Sequence, residues 1–83
     1  MDAKQEVLQL LDEVLSLKGR SAGFSLDSAL LGAIPELDSM AVVALIGALE
    51  ERFGFAIADD EIDGAVFATV GSLVGFVDGK LAA

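Results

Sequence analysis

Apolar residues at three- and four-residue steps recur in three stretches of this chain, and that period restricts it to packed helices. Val7, Leu10, Leu11, Val14 and Leu17 share one face of a helix expected from about Ala3 to Leu17. Asp2 is placed to cap its start and Lys18-Gly19 to stop it, with a cation near the negative helix end. Leu45, Leu49 and Phe53, with Ile46 beside them, predict a second helix from about Ser39 to Phe53, ended by Gly54. Val70, Leu73, Val74 and Val77 predict a third, capped by Thr69 and running to about Leu81. Between the last two, Asp59-Asp60-Glu61-Ile62-Asp63-Gly64 has the acids of a short helix start, with Asp59 as cap. No strand alternation competes. The expected fold class is all-α: a small four-helix bundle of three longer helices and one short helix. With 83 residues, the chain is read as one domain, 1–83.

A long loop separates the first two helices. Gly19, Gly23, Gly32 and Pro35 break any period there, yet Phe24, Leu26, Leu30, Leu31 and Ile34 are too apolar for an idle connection. Their side chains are expected to tuck back onto the helices.

Charge and missing residue types narrow the function. Fourteen acidic residues against five basic ones give a formal charge of -9. Nucleic-acid binding needs Lys and Arg clusters that this chain lacks. The same field repels anionic membrane surfaces and attracts basic protein partners. There is no Cys and no His, which removes a thiol nucleophile, zinc-thiolate sites and the side chain best suited to proton transfer near neutrality. The run Met40–Leu49 is too short to span a bilayer, which takes roughly twenty residues. The first residues lack the basic start and apolar stretch of a signal peptide, so a cytoplasmic chain without stable membrane insertion is expected.

The informative stretch is Leu37-Asp38-Ser39-Met40, followed directly by the apolar helix. A Ser at a helix start is by default an N-cap. The functional reading is that Ser39 carries a phosphate-linked group, since free N–H groups and the helix dipole favour added negative charge there. Leu26-Asp27-Ser28-Ala29 repeats the Leu-Asp-Ser pattern, but Gly32 and Pro35 interrupt soon after, so Ser28 reads as a local cap. Asp59, Glu61, Asp63 and Gly64 imitate half of an EF-hand loop. Its ninth and twelfth positions are Phe67 and Val70, so calcium binding of that kind is not expected. Glu50 and Glu51, as helical neighbours, point in different directions and are no acid/base pair.

The order of these features resembles the acyl carrier protein family: a helix, a long loop, Asp38-Ser39-Met40, and an apolar helix ending Leu49-Glu50-Glu51-Arg52-Phe53-Gly54. Ile57, Asp59-Asp60-Glu61 and Ala68-Thr69-Val70 then follow. The resemblance implies that Ser39 receives 4'-phosphopantetheine from coenzyme A through a magnesium-dependent phosphopantetheinyl transferase, with Asp38 as its acidic neighbour. It implies a non-catalytic carrier whose prosthetic thiol holds acyl groups as thioesters, in agreement with the absent Cys and His. Two further readings stay open: an aminoacyl or peptidyl carrier using the same Ser39, and an unmodified helical interaction module in which Ser39 is only a cap.

Against the fatty-acid-synthesis carriers of that family, Pro35-Glu36-Leu37 stands where Gly usually precedes the Asp-Ser pair, and Ala41 and Ala44 stand where acids are common. The expectation is a specialised stand-alone carrier, serving fatty acid, polyketide-like or lipid-modifying chemistry. Its partners would be an acyl ligase, ketosynthase or acyltransferase with a basic docking surface. The candidate recognition residues are Glu36, Asp38, Met40, Val43, Glu50, Glu51, Asp59, Asp60 and Glu61. If Met40, Ala41, Val43, Ala44 and Gly47 face outward, the middle of the recognition helix is apolar. If the long loop folds over Met40 and Val43, they are core instead, and both readings are open at this point. A carrier that visits several enzymes is expected to be monomeric.

Overall fold

The computed structural model describes residues 3–82. Helix α1 spans Ala3–Leu15, α2 Ser39–Phe53 and α3 Val70–Ala82. Two one-turn 3-10 segments, Arg20–Gly23 and Asp59–Glu61, lie in the connections. The expected fourth helix is thus a single 3-10 turn. Among the described residues there is no strand, only one isolated antiparallel bridge between Ala29 and Thr69.

The first helix stops two residues short of its expected end. Ser16 enters the left-handed region (φ 54°), and the Leu17 N–H returns to the Asp12 carbonyl at 3.0 Å, the six-to-one closure of a Schellman turn. Leu17 remains fully buried, so its apolar signal is real although it sits in the turn. The carboxylate of Asp12 then accepts from the Gly19 N–H (3.0 Å), the Ser21 N–H (3.3 Å) and the Ser21 hydroxyl (2.7 Å). One side chain thereby fastens the loop's first turn to the helix it leaves. The cap expected from Asp2 lies outside the described residues.

The other helix ends follow their caps. Gly54, at φ 74°, terminates α2 and donates to the Glu50 carbonyl at 2.9 Å. Thr69 and Ser72 exchange bonds at the head of α3: the Thr69 hydroxyl accepts the Ser72 N–H and the Ser72 hydroxyl accepts the Thr69 N–H, both at 3.0 Å.

The core gathers where the three helical faces meet. Val7 and Leu11 of α1, Leu45 and Leu49 of α2, and Leu73 and Val77 of α3 are all fully buried, with Leu30 and Phe67 from the connections. Removing any one of these leucine side chains leaves a cavity worth about 2–5 kcal/mol. The long loop supplies Leu30 and Leu37 to this core and half-buries Phe24 and Ile34, but Leu26 and Leu31 stay exposed. A backbone strap holds its middle. Leu30 and Leu31 donate to the Ala68 and Phe67 carbonyls, and Val70 and Gly71 donate to the Ser28 and Leu26 carbonyls, at 2.8–3.0 Å. No helix is long and apolar enough to cross a membrane, among the described residues.

Candidate functional site

The segment leading into α2 is pinned on both sides of its turn. Leu30 and Leu37 are buried, and the Ile34 and Leu37 N–H groups donate to the Leu30 and Ile34 carbonyls, each at 3.0 Å. Arg20 adds an ion pair to Glu36 while its Nε donates to the Leu17 carbonyl. The Glu36 carboxyl is held below its ordinary range by its own backbone N–H and by the Arg20 guanidinium.

Asp38, not Ser39, is the N-cap of α2. Its backbone is extended (φ -103°, ψ -176°), and its Oδ1 accepts the Ala41 N–H at 2.8 Å while its carbonyl accepts the Val42 N–H at 3.0 Å. Ser39 is therefore the first helical residue. Its side chain is exposed and makes no hydrogen bond among the described residues. The cap expected of Ser39 is supplied by its neighbour, which leaves the hydroxyl free. Ser28 differs: its hydroxyl is occupied by the Ser25 N–H at 2.9 Å.

Beyond Ser39, α2 presents an apolar face to solvent. Met40 is 78% exposed and Val43 67% exposed. Ala44 and Gly47 are also exposed, whereas Ala41 is half-buried. The loop does not fold over this stripe, so the burial reading of Met40 and Val43 is removed.

The family described as "Phosphopantetheine attachment site" matches residues 5–77. A solution structure of a holo acyl carrier protein from Nitrosomonas europaea is 49% identical over 100% of both chains, with a TM-score of 0.93. The chain belongs to the acyl carrier protein family. No curated protein was found to match it. It is a non-catalytic carrier whose prosthetic group is 4'-phosphopantetheine, served by a phosphopantetheinyl transferase and by biosynthetic enzymes. The head of α2 fits such a group: an unengaged, exposed hydroxyl stands beside the first-turn N–H groups of Ser39 and Met40, which have no helical acceptor. When bound, the group supplies a terminal thiol that holds acyl cargo as a thioester.

The acids of this carrier divide into occupied and free groups. Glu50 is half-buried and its Oε2 accepts the Ile57 N–H at 2.7 Å, so it holds the connection after α2. Glu61 accepts from the Ala58 N–H at 2.9 Å and pairs with Lys80 at 2.8 Å. Its carboxyl is held down first by Lys80 and then by that N–H. Lys80 also lies 6.0 Å over the Phe55 ring, which stacks on Phe53 at 5.8 Å. Glu51 and Asp60 are exposed. The Asp59 side chain lies outside the described residues.

Sequence reading missed the pairings of three cations that order the fold, Lys80 and two arginines. Arg52 bridges Glu6 (2.7 Å) and Glu13 (3.0 Å) from α2 to α1, raising the guanidinium pKa chiefly through the Glu6 bond. Arg20 reaches Glu36 across the loop. Both pairings span long sequence separations, so no local spacing marks them. A groove of about 460 Å³ lined by Leu10, Glu13, Val14, Ala48, Glu51 and Arg52 lies between α1 and the second half of α2. Its nearest α2 residue is about 13 Å along the axis from Ser39, so the groove is separate from the head of α2.

Proposed function

We propose that Ser39 is the attachment point of 4'-phosphopantetheine in an acyl carrier that is specialised rather than general to fatty acid synthesis. The observation that carries this reading is the free hydroxyl of Ser39 at the head of a helix capped by the preceding residue. The apolar exposed stripe of Met40, Val43, Ala44 and Gly47 supports a dedicated partner, because its middle offers shape and apolar area in place of charge. Among the candidate recognition acids, Glu51 and Asp60 are exposed and free to steer a basic enzyme surface, such as that of an acyl ligase, ketosynthase or acyltransferase. Glu36, Glu50 and Glu61 contribute charge to the same field while bound within the fold. Residues 1–83 act as one domain, as a cytoplasmic monomer.

Intact mass after incubation with coenzyme A and a phosphopantetheinyl transferase tests the assignment. The wild-type chain gains one phosphopantetheine group and Ser39→Ala gains none. A mass gain in Ser39→Ala, or none in the wild type, overturns it. Efficient elongation of the holo carrier by general fatty-acid-synthase enzymes overturns the specialised reading alone.

A further inference from the structure

We propose that Asp38 is a positioning residue for the loading reaction: it outcompetes Ser39 for the N-cap and so keeps the Ser39 hydroxyl unbonded. The inference rests on Ser39 being the attachment point. Aspartate and serine are caps of similar strength, so two adjacent capping residues offer α2 two possible starts. In the observed start, the Asp38 carboxylate takes the Ala41 N–H at 2.8 Å and its carbonyl takes the Val42 N–H at 3.0 Å. In the other, the helix begins one residue later and the Ser39 hydroxyl oxygen accepts the Ala41 or Val42 N–H itself.

Two effects favour the first start. Capping by Ser39 gives up the backbone bond from Val42 to Asp38, the first of the helix. It also moves a carboxylate away from the positive end of the dipole. The buried anchor Leu37 then fixes the approach of the chain, so that Asp38 meets the helix start in extended backbone.

The consequence is chemical. On loading, the Ser39 oxygen forms a bond to the phosphorus bearing the pantetheine arm of coenzyme A. The pyrophosphate bond breaks, adenosine 3',5'-bisphosphate leaves with the bridging oxygen, and the hydroxyl proton passes to a base on the transferase. A hydroxyl oxygen already accepting a backbone N–H has a lone pair engaged and points back over the helix. Asp38 removes that state. Its role is therefore capping, and a neutral cap can replace it.

The test compares apo wild type with D38A, D38N and D38S, using coenzyme A and one phosphopantetheinyl transferase, with kcat/KM as the readout and thermal unfolding to confirm the fold. D38A leaves Ser39 as the only cap and is expected to lower kcat/KM by up to about fivefold, the ceiling set by a cap worth about 1 kcal/mol before the lost Val42 bond is subtracted. D38N and D38S, which keep a capping oxygen without the charge, are expected to recover the rate to within about twofold, since these residues cap almost equally. Rates for D38N and D38S as low as that of D38A overturn the proposal and assign Asp38 a charge contact with the transferase. A D38A rate equal to wild type overturns it as well. Should D38A not fold, D38N alone decides, because it keeps the cap and removes the charge. Modification of the wild type at a serine other than Ser39, located by fragmentation of the product, is instead the failure of the attachment assignment.

Discussion

At the scale of single residues, two glycines with the same sequence signal have opposite meanings. Gly71 lies in the first turn of α3, where an added Cβ would stand 2.9 Å from the Leu26 carbonyl oxygen. That oxygen belongs to the backbone strap and cannot swing aside. Gly71→Ala is expected to destabilise the fold by about 1–3 kcal/mol, the range for overpacking. Gly47 sits on the exposed face of α2 with nothing near its missing Cβ. Gly47→Ala should stabilise by about 0.5–1 kcal/mol through helix propensity. Denaturant unfolding of both variants checks the pair, and equal changes would contradict the packing argument. The sequence could not separate them, because the oxygen that distinguishes Gly71 arrives from 45 positions earlier in the chain. The same limit applied to Ser39: its place at a helix start was legible, but whether it or Asp38 served as cap depended on where the chain entered the turn.

At the scale of elements, the helices were legible and their tethers were not. The apolar period located α2 at Ser39–Phe53 and α3 from Val70, since burial against one core rewards a fixed face. It overran α1 because Leu17 keeps the apolar pattern from within a turn. The tethers are carboxylates reaching across connections, and they give the fold an acid limit. The Asp12 carboxyl is lowered first by the Ser21 hydroxyl and then by the Gly19 N–H, and Glu36 and Glu61 are lowered by the contacts described above. A group with a lowered folded pKa binds fewer protons folded than unfolded, so its stabilisation is complete above the ordinary range, about 3.9 for Asp and 4.3 for Glu. It is lost as pH falls through the lowered value. Thermal unfolding between pH 7 and 3 should show the wild-type Tm falling below about pH 4. Asp12→Asn should start lower at neutral pH and lose less on acidification. Net charge changes almost equally in both proteins, so the difference between the curves isolates the tether. Parallel curves would count against it.

At the scale of the whole molecule, the proposed docking assigns the charge of -9 and the apolar stripe on α2 to different stages. Charge steers encounter over distances that salt screens, about 8 Å at physiological ionic strength. In the same proposal, contact at Met40 and Val43 sets how long the complex lasts. Stopped-flow binding to the phosphopantetheinyl transferase should show the association rate falling with salt. Val43→Ser should dissociate faster, with Tm unchanged because Val43 is 67% exposed. A salt-independent association rate would oppose the steering role. The charge was readable from composition, and the exposure of the stripe was not, because it depended on where residues 24–37 were laid down. They are laid down by the strap, whose partners are the Phe67 and Ala68 carbonyls and the Val70 and Gly71 amides. That pairing sets an order of events during synthesis. A ribosome that has released Ser39 has not yet released the residues that fasten the loop before it. The approach to Ser39 takes its final shape only after residue 71 clears the exit tunnel, so a properly presented hydroxyl waits on a segment made some thirty residues later.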